Sequence, residues 1–433
     1  MKYLTTFLIC FLSVSCAYAQ QELSLHFLKD IAQANLTNPA FVSSQKTQII
    51  LPSVYYNLYT PDFTVKNLFS LNSYGVRDLN EVAKTTLLNR NRISTNINIT
   101  TLGYAFMKTP KLRISIDHSY HADVMADIDG VLIKAITNDY EKSIGKAIPF
   151  DSKLQGSFYH QLSIGGAYQY KENISFGARF KVLKGITNVF TRSAQSTVTI
   201  NGYNYATTYV NNIDILGFSI NSVKSLATIR GLAKQSLNLQ NLGVGLDLGC
   251  SYKIAKWQLS ASMIDALSII NWRKNGKNYR GIGQRRFVGV GNIDIFQTTA
   301  SFNIKDTLKN IVGLDVLDNA HYVQKLPTKI YLSALYQLDD KWQLGALFYN
   351  ESGGKLVSYT DFMLNASYKI IENIDIGSSW SIRNKRFDNF GFHLIAQYDK
   401  FQLYAVTDNI ISVFKPYNFK SSNVRLGLNL VLK

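Results

Sequence analysis

Six histidines are the first candidates for chemistry in this 433-residue chain: His26, His118, His121, His160, His321 and His393. A nucleophilic or general-base site needs one of them beside a Ser, Cys or Thr, with a third group to orient the ring. None stands in a recognisable nucleophile motif, and His118 and His121 fall on opposite faces of a strand. The stretch "DVMADIDG" sets Asp123, Asp127 and Asp129 near Gly130, a faint outline of a calcium loop. It lacks the alternate-residue ligand run and the closing Glu that such a loop needs. The sequence therefore predicts no enzyme, no metal and no cofactor. A catalytic set assembled across distant strands is the alternative that pattern reading leaves open.

Two sets of charged residues remain. "NWRKNGKNYRGIGQRR" (271–286) carries Arg273, Lys274, Lys277, Arg280, Arg285 and Arg286 with no acid. On a long outer loop these donors suit the phosphates of lipopolysaccharide; the plain alternative is a solvated loop. The second set is Arg113, Asp117, Arg179, Lys181, Asp247, Asp375 and Arg425, each at a polar position of an alternating stretch. Such residues bind an anionic group such as a carboxylate, or pair with one another as a structural network. The elements that carry them decide where they meet.

The chain opens with Lys2, an apolar run "YLTTFLICFLSVS", and the small-x-small site Ala17–Ala19, the pattern of a cleaved export signal over residues 1–19. Ser13, Val14 and Ser15 make a poor lipobox before Cys16, so a lipid anchor there is the lesser expectation. Cleavage removes Cys10 and Cys16 and leaves Cys250, so no disulfide framework supports the fold. No second apolar run is long enough for a transmembrane helix. The formal net charge is +17, which on an exported protein points to anionic phosphates of an outer surface rather than to nucleic acid. With 26 Tyr, 24 Phe and only 7 Pro, the composition fits many long strands.

The strands come as hairpins. "SYKIIENIDIGSSW" (367–380) sets Tyr368 before a tight polar turn, after which Ile374, Ile376 and Trp380 alternate with Asp375, Gly377 and Ser379. The same plan recurs near 102–117, 165–180, 250–264, 333–348 and 395–408, making six short-turn hairpins. Adding a strand near 47–58 and one near 422–432 gives about 14, joined by short turns at one end and long irregular connections at the other. That asymmetry predicts an all-β fold: a transmembrane antiparallel barrel over residues 47–433, with both termini on the periplasmic side. Its outward faces are apolar, as in Val424, Leu426, Leu428 and Leu430. Its inward faces are polar and wet, because a barrel this wide cannot fill its bore with its own side chains. Tyr170, Tyr252, Tyr336, Tyr368 and Tyr398, with Trp257, Trp342 and Phe401, would form the periplasmic aromatic girdle. "GVLIKAIT" and the stretch 219–237 suggest helical pieces over the outer mouth.

Two passages carry a resemblance. "LKDIAQANLTNPAF" (28–41) and "FYHQLSIGGAYQYKENISFGARFKVLKGITNVFT" (158–191) resemble a family of uncharacterised outer-membrane β-barrels from Bacteroidota, a domain of unknown function. The shared pattern is an N-terminal "NPAF", Asn38–Phe41 here, with a central Gly177, Arg179, Lys181, Leu183 and Gly185. The "NPA" segment is also similar to that of the long-chain fatty-acid channels and of PorP/SprF-type barrels linked to secretion and gliding. The first likeness implies a 14-stranded channel with a lumenal N-terminal segment; the second implies an anchor for partner proteins. Barrels of the proteobacterial type end in an aromatic residue, and this chain ends in "VLK".

Residues 20–46 have no strand period, and Pro39 disfavours helical geometry at Asn38. They are expected to form a plug inside the barrel, with Asn35, Asn38 and Pro39 fixing its turn, or a periplasmic cap. The functional expectation is a gated outer-membrane channel for a small hydrophobic or amphipathic molecule. The alternative is an anchoring or assembly barrel that holds a periplasmic or surface protein without transport.

Overall fold

The computed structural model describes residues 22–64, 88–131, 134–135, 140–201, 207–218, 240–287, 315–353, 358–383, 386–415, 418 and 420–432. The expected export signal, residues 1–19, lies outside them. β1 (Thr47–Tyr59) leads to β2 (Arg90–Thr109), which a tight turn joins to β3 (Leu112–Asp129). β4 (Ala147–Asp151) is short, and β5 (Lys153–Lys171) and β6 (Ile174–Ile200) form the next hairpin. β7 (Thr207–Phe218) returns along the far half of β6, and β8 (Leu242–Ile254) turns into β9 (Trp257–Ile264). Four shorter or outlying strands follow: β10 (Ile269–Trp272), β11 (Gly276–Phe287), β12 (Asp315–Asp318) and β13 (Tyr322–Lys325). β14 (Thr328–Gln337) and β15 (Trp342–Ser352), β16 (Tyr359–Ile371) and β17 (Ile374–Arg383), and β18 (Arg386–Tyr398) and β19 (Phe401–Thr407) make three more hairpins. β20 (Ser421–Leu432) ends the wall.

Fourteen of these strands close a ring of antiparallel pairs in the order β1–β2–β3–β5–β6–β8–β9, then β14 to β20, and back to β1. Closure leaves no edge, so every wall strand finds both its backbone partners without water. All six short turns expected from the sequence lie at one end of the ring, where Thr47 and Leu432 also pair. Local chemistry makes these turns. Ala255 and Asp399 take positive φ in their two-residue loops, and Asp339 Oδ1 accepts the N–H groups of Lys341 and Trp342. Those two donors hold the exposed Asp339 carboxyl below its ordinary range. Pro52 has no N–H to offer, and the β1–β20 register shifts between Ile50 and Ser53.

The alternation settles which side is which. Phe176, Phe180, Val182, Val244, Leu248 and Leu426 stand out from the ring at 43–54% exposure. Their partners in parity, Arg113, Asp117, Arg179, Lys181, Asp247 and Arg425, are 7% exposed or less. An apolar outer belt with ionised residues inside belongs in lipid, and it makes this an outer-membrane-type barrel. Among the described residues no helix is long and apolar enough to cross a membrane; the strands do so. Aromatic pairs mark the short-turn rim, with Trp257 against Tyr336 at 4.8 Å and Trp342 against Tyr368 at 4.7 Å between ring centroids.

Two expectations need correction. The bore is not simply wet: Leu335, Leu347, Met363, Ile395 and Val406 face inward and pack on Leu23, Phe27, Leu25, Leu28 and Ile31 of the N-terminal segment. The segment supplies the volume that wall side chains cannot reach. Nor are the connections 188–237 and 267–326 irregular throughout. β6 runs 27 residues, well past a bilayer, and beyond the ring it pairs with β4 and β7. β7 pairs with β11, and β11 with β12. The basic stretch is therefore largely a strand of this extension rather than a loop. Strands outside lipid need no apolar alternation, so the pattern gave no signal there. Of the helical pieces, Val131, Lys134 and Ala135 are helical, Tyr140–Ser143 forms one turn, and 219–237 lies outside the described residues. A further short helix, Ile410–Phe414, starts at Asn409, whose side chain accepts from Ser412 N.

The belt generates a direct test. Phe180→Arg puts a charge on the lipid face near mid-span and is expected to destabilise the folded barrel by about 2–4 kcal/mol. Urea unfolding in lipid vesicles, against the wild type, checks it.

Candidate functional site

The bore is where the sequence-predicted residues converge. The first three turns of the N-terminal segment are compact: a 3₁₀ turn at Ser24–Phe27, a second at Ala32–Leu36, then the Asn38–Phe41 turn. Short 3₁₀ pieces satisfy few of their own backbone groups, so the wall supplies partners. Asp408 accepts from Leu23 N and Ser24 N, both at 3.0 Å, and from Ser24 Oγ at 2.6 Å. Gln33 and Asn429 exchange amide hydrogen bonds at 2.7 and 3.0 Å. The Asp30 carbonyl accepts from Gln48 Nε2 and Gln402 Nε2, and Arg113 donates to the Gln45 carbonyl and to Gln48 Oε1. Leu23, Leu25, Phe27, Leu28, Ile31 and Phe41 are all 4% exposed or less, each such burial contributing roughly 1.5–3 kcal/mol as an upper figure.

The "NPA" turn meets the central motif. Asn38 Oδ1 accepts from Ala40 N, while Asn38 Nδ2 donates to the carbonyls of Cys250 and Ala261. Gly177 and Gly249 are register partners on β6 and β8. A Cβ on Gly177 would lie 2.2 Å from the Pro39 carbonyl, and one on Gly249 2.1 Å from Asn38 Oδ1. Only glycine lets the wall come this close to the turn, backbone to backbone at Gly177 and against the Asn38 side chain at Gly249. The next motif residues, Arg179, Lys181 and Leu183, share the inward face, and Gly185 makes room for the buried Trp272 ring. Asn35 lies half-buried in the second 3₁₀ turn, ahead of the turn it was expected to fix.

Two ion-pair networks fill the remaining space. In one, Arg179 meets Asp117 at 2.6 Å and Asp247 at 3.7 Å. Lys181 meets Asp247 at 2.6 Å and Asp265 at 2.8 Å, and Lys329 completes the chain at 3.3 Å from Asp265. In the other, Arg425 meets Glu22 at 2.5 Å, and Arg383 meets Asp361 at 3.2 Å and Asp408 at 2.9 Å. Arg113 stands apart at the foot of the segment, and Asp375 lies 3.7 Å from His393 at the short-turn mouth. Sequence reading missed Lys329, Asp361 and Arg383, which parity along β14, β16 and β17 would have placed inward. It also missed Asp265, which sits in a break between β9 and β10 at φ 57°. Nothing local announces that residue.

The other sequence candidates do not form a site. Asp127 pairs with Arg90 at 2.6 Å, Asp123 accepts from Asn96, and Asp129 caps backbone N–H groups. His118 hydrogen-bonds Thr101 and His160 on the outer face, while His121 stacks on Tyr159 inside. On the extension beyond the ring Arg273, Lys274 and Arg280 are exposed, Lys277 lies 3.7 Å from Asp318, and Arg285 and Arg286 pair through their backbones with Tyr209 and Thr208.

His26 is the titratable centre of the segment. It is fully buried, stacked on Tyr331 at 5.3 Å, with Nδ1 against Thr37 Oγ1 and Nε2 against Ser333 and Ser260. Burial first, and the charge of Lys29 second, push its pKa down to about 3. Burial pushes Glu22 up to about 7 despite Arg425, and pushes Lys29 down to about 7. A depressed histidine favours the docked segment fully above about 6.5 and loses that contribution as pH falls from there towards 3. A raised carboxyl acts oppositely, favouring docking more as pH falls from 7 to 4.5. In His26→Gln, acidification from pH 7 to 4.5 is therefore expected to strengthen protection of residues 22–46 from protease, and in the wild type to strengthen it less or weaken it. A side chain on the wall glycines should act more bluntly. Gly177→Val or Gly249→Val overpacks the turn by about 1–3 kcal/mol or more and is expected to expose the segment to limited proteolysis with the barrel intact.

No curated protein matches the chain. Among solved structures, the P. putida toluene transporter TodX is 10% identical over 93% of this chain and 94% of its own, with a TM-score of 0.43. A Pseudomonas aeruginosa FadL homologue is 11% identical over 92% and 93%, with a TM-score of 0.44. The translocator domain of the autotransporter NalP from Neisseria meningitidis is 7% identical over 91% of each chain, with a TM-score of 0.34. These values are too low to transfer what those proteins carry. Residues 39–408, from the proline of the lumenal turn to the aspartate that clamps Ser24, match the family of unknown function DUF5723, and the chain belongs to that family.

Proposed function

We propose that the protein is a gated outer-membrane channel, with the short-turn end in the periplasm and the N-terminal segment as its plug. The supporting observation is the division of the bore. A cavity of about 440 Å³ opens at the short-turn mouth, lined by Phe27, Lys29, Phe41 and turn residues such as Lys253 and Lys341. A smaller one of about 80 Å³ lies deeper, lined by Leu25, Leu36, Tyr55 and Lys329 among others. Residues 25–41 stand between the two. Apolar clusters beside ion pairs suit a small hydrophobic or amphipathic molecule, which would pass once the segment swings aside. The carboxylates and guanidiniums of the bore are engaged with one another or, for Arg113, with Gln45 and Gln48, so their part is to hold the closed arrangement rather than to bind cargo.

A second reading, an anchoring barrel, draws support from the folded extension of β4, β6, β7, β11 and β12 beyond the ring. Exposed Arg273, Lys274 and Arg280 there suit lipopolysaccharide phosphates or an acidic partner. Planar-bilayer conductance of the refolded chain, with and without residues 21–40, separates the readings. Under the channel reading the truncated form conducts and the full form stays closed. If neither conducts, the bore is occluded by the wall itself and anchoring takes over.

A further inference from the structure

The cavity at the short-turn mouth carries charges that the ion-pair networks of the bore do not use. Lys29 lies half-buried in it, its ammonium 5.5 Å from the Phe41 ring centroid and donating to the neutral Gln258 Oε1 at 2.5 Å. Gln258 is the register partner of Lys253, which lines the same cavity from the end of β8. Among the described residues no carboxylate lies within ion-pair distance of either ammonium. The carboxylates of the cavity are placed elsewhere. Asp30 accepts from Ser44 Oγ at 3.1 Å, and Asp375 lies 3.7 Å from His393. Glu172 and Asp340 stand exposed at turn tips, where water and salt screen them. After burial, it is the charge of Lys253 that does most to hold the Lys29 ammonium near pKa 7, ahead of the opposing effect of Asp30. Ser251 adds a neutral donor to this wall: it is 4% exposed, and its Oγ accepts from Gln258 Nε2 at 2.7 Å, which leaves its own hydrogen to give.

We propose that this cavity binds a small oxyanion of the phosphate class between Lys29 of the segment and Lys253 of the wall. Two ammonium groups on one cavity suit a group that carries about −1.5 to −2 charge at neutral pH and three acceptor oxygens. Each lysine gains a charge-assisted hydrogen bond, and the Ser251 hydroxyl supplies a third donor. At about 440 Å³ the cavity has room for inorganic phosphate with its water, or for a phosphomonoester with a small organic group. Lys29 belongs to the segment and Lys253 to the β8–β9 hairpin, so the bound anion is a strap from one to the other. The segment then leaves the bore only after the anion does, and the anion concentration at the short-turn side sets how firmly the segment is docked. The proposal rests on the docking of the segment in the bore and not on the passage of any cargo.

The test uses the whole chain refolded in maltoside micelles, which contain no phosphate, near neutral pH and at constant ionic strength. Binding of inorganic phosphate is read from its phosphorus NMR line width. Docking is read from the rate of protease cleavage within residues 22–46, with the unfolded chain as a control on the protease. Phosphate is expected to broaden and to slow that cleavage several-fold, while chloride and acetate leave the rate as it is. Lys253→Gln removes one end of the strap without altering the segment, and is expected to weaken phosphate binding about ten-fold and to abolish the protection. Lys29→Gln should weaken binding as much; if it also loosens the segment by itself, Lys253→Gln and the line width still decide. Lys256→Gln deletes a charge from the same turn, but its ammonium lies on the Leu338 carbonyl outside the cavity, so it should bind phosphate as the wild type does. Glycerol phosphate acting as phosphate does assigns a soluble ligand, and lysophosphatidate acting at far lower concentration assigns a lipid headgroup; both support the site. Absence of broadening overturns the proposal, as does binding that Lys253→Gln leaves unchanged or that Lys256→Gln weakens equally. Neither readout involves conductance, so a chain that never conducts counts against the channel and not against the anion site.

Discussion

Everything in this fold answers to the width of a fourteen-strand ring. Such a ring satisfies its backbone by closing on itself, but its inward side chains do not meet across the bore. The volume left over is filled by residues 22–43, the one stretch that has no strand period. The wall is tailored to them. Leu335, Leu347 and Met363 replace the polar residues a water-filled bore would carry, Ser260 and Ser333 receive His26, and two paired glycines yield space to Asn38 and Pro39. A segment made of 3₁₀ turns could not be stable alone, since it leaves most of its hydrogen bonds to be made elsewhere. Its order comes from the wall.

Electrostatics does the second part of the filling. Lys181 and Arg179 sit among Asp117, Asp247 and Asp265, all nearly inaccessible to water. Pairs of this kind contribute little net stability, because desolvation offsets most of the attraction; the loss of one partner is what costs. Their effect is to forbid other arrangements. A β6 slipped by one residue would turn Arg179 and Lys181 into lipid and Phe180 into the bore, so the network and the apolar belt enforce the same register. Asp408 links this economy of charge to the segment, since one carboxylate holds Arg383, Leu23 N and Ser24 at once.

Outside the bilayer the rules change, and so does the structure. β6 keeps the strand geometry for 27 residues, but past the β8 pairing its neighbours are β4 and β7, and its Phe190 stacks on Tyr322. There the chain is free to place Arg and Lys on a strand, which is how the basic stretch 271–286 becomes part of a sheet.

The sequence by itself determined the barrel, because lipid imposes a strict rule: outward residues apolar, inward residues polar, turns short at one end. That rule repeats along Ile174–Val182 and Val424–Leu432 and can be read one strand at a time. It also placed Arg179, Asp247 and Arg425 inside, since parity is a local property. Tertiary structure decided the rest. Whether the inward charges would bind a ligand or one another depended on distances between strands far apart in the chain. Asp265 enters only through a break in the wall, and Ser24 and Asp408, 384 positions apart, meet only once the ring has closed around the segment. The docking of "NPA" on Gly177 and Gly249 joins two motifs that each looked local. Periodicity reports which way a side chain points; it carries no information about what it will meet.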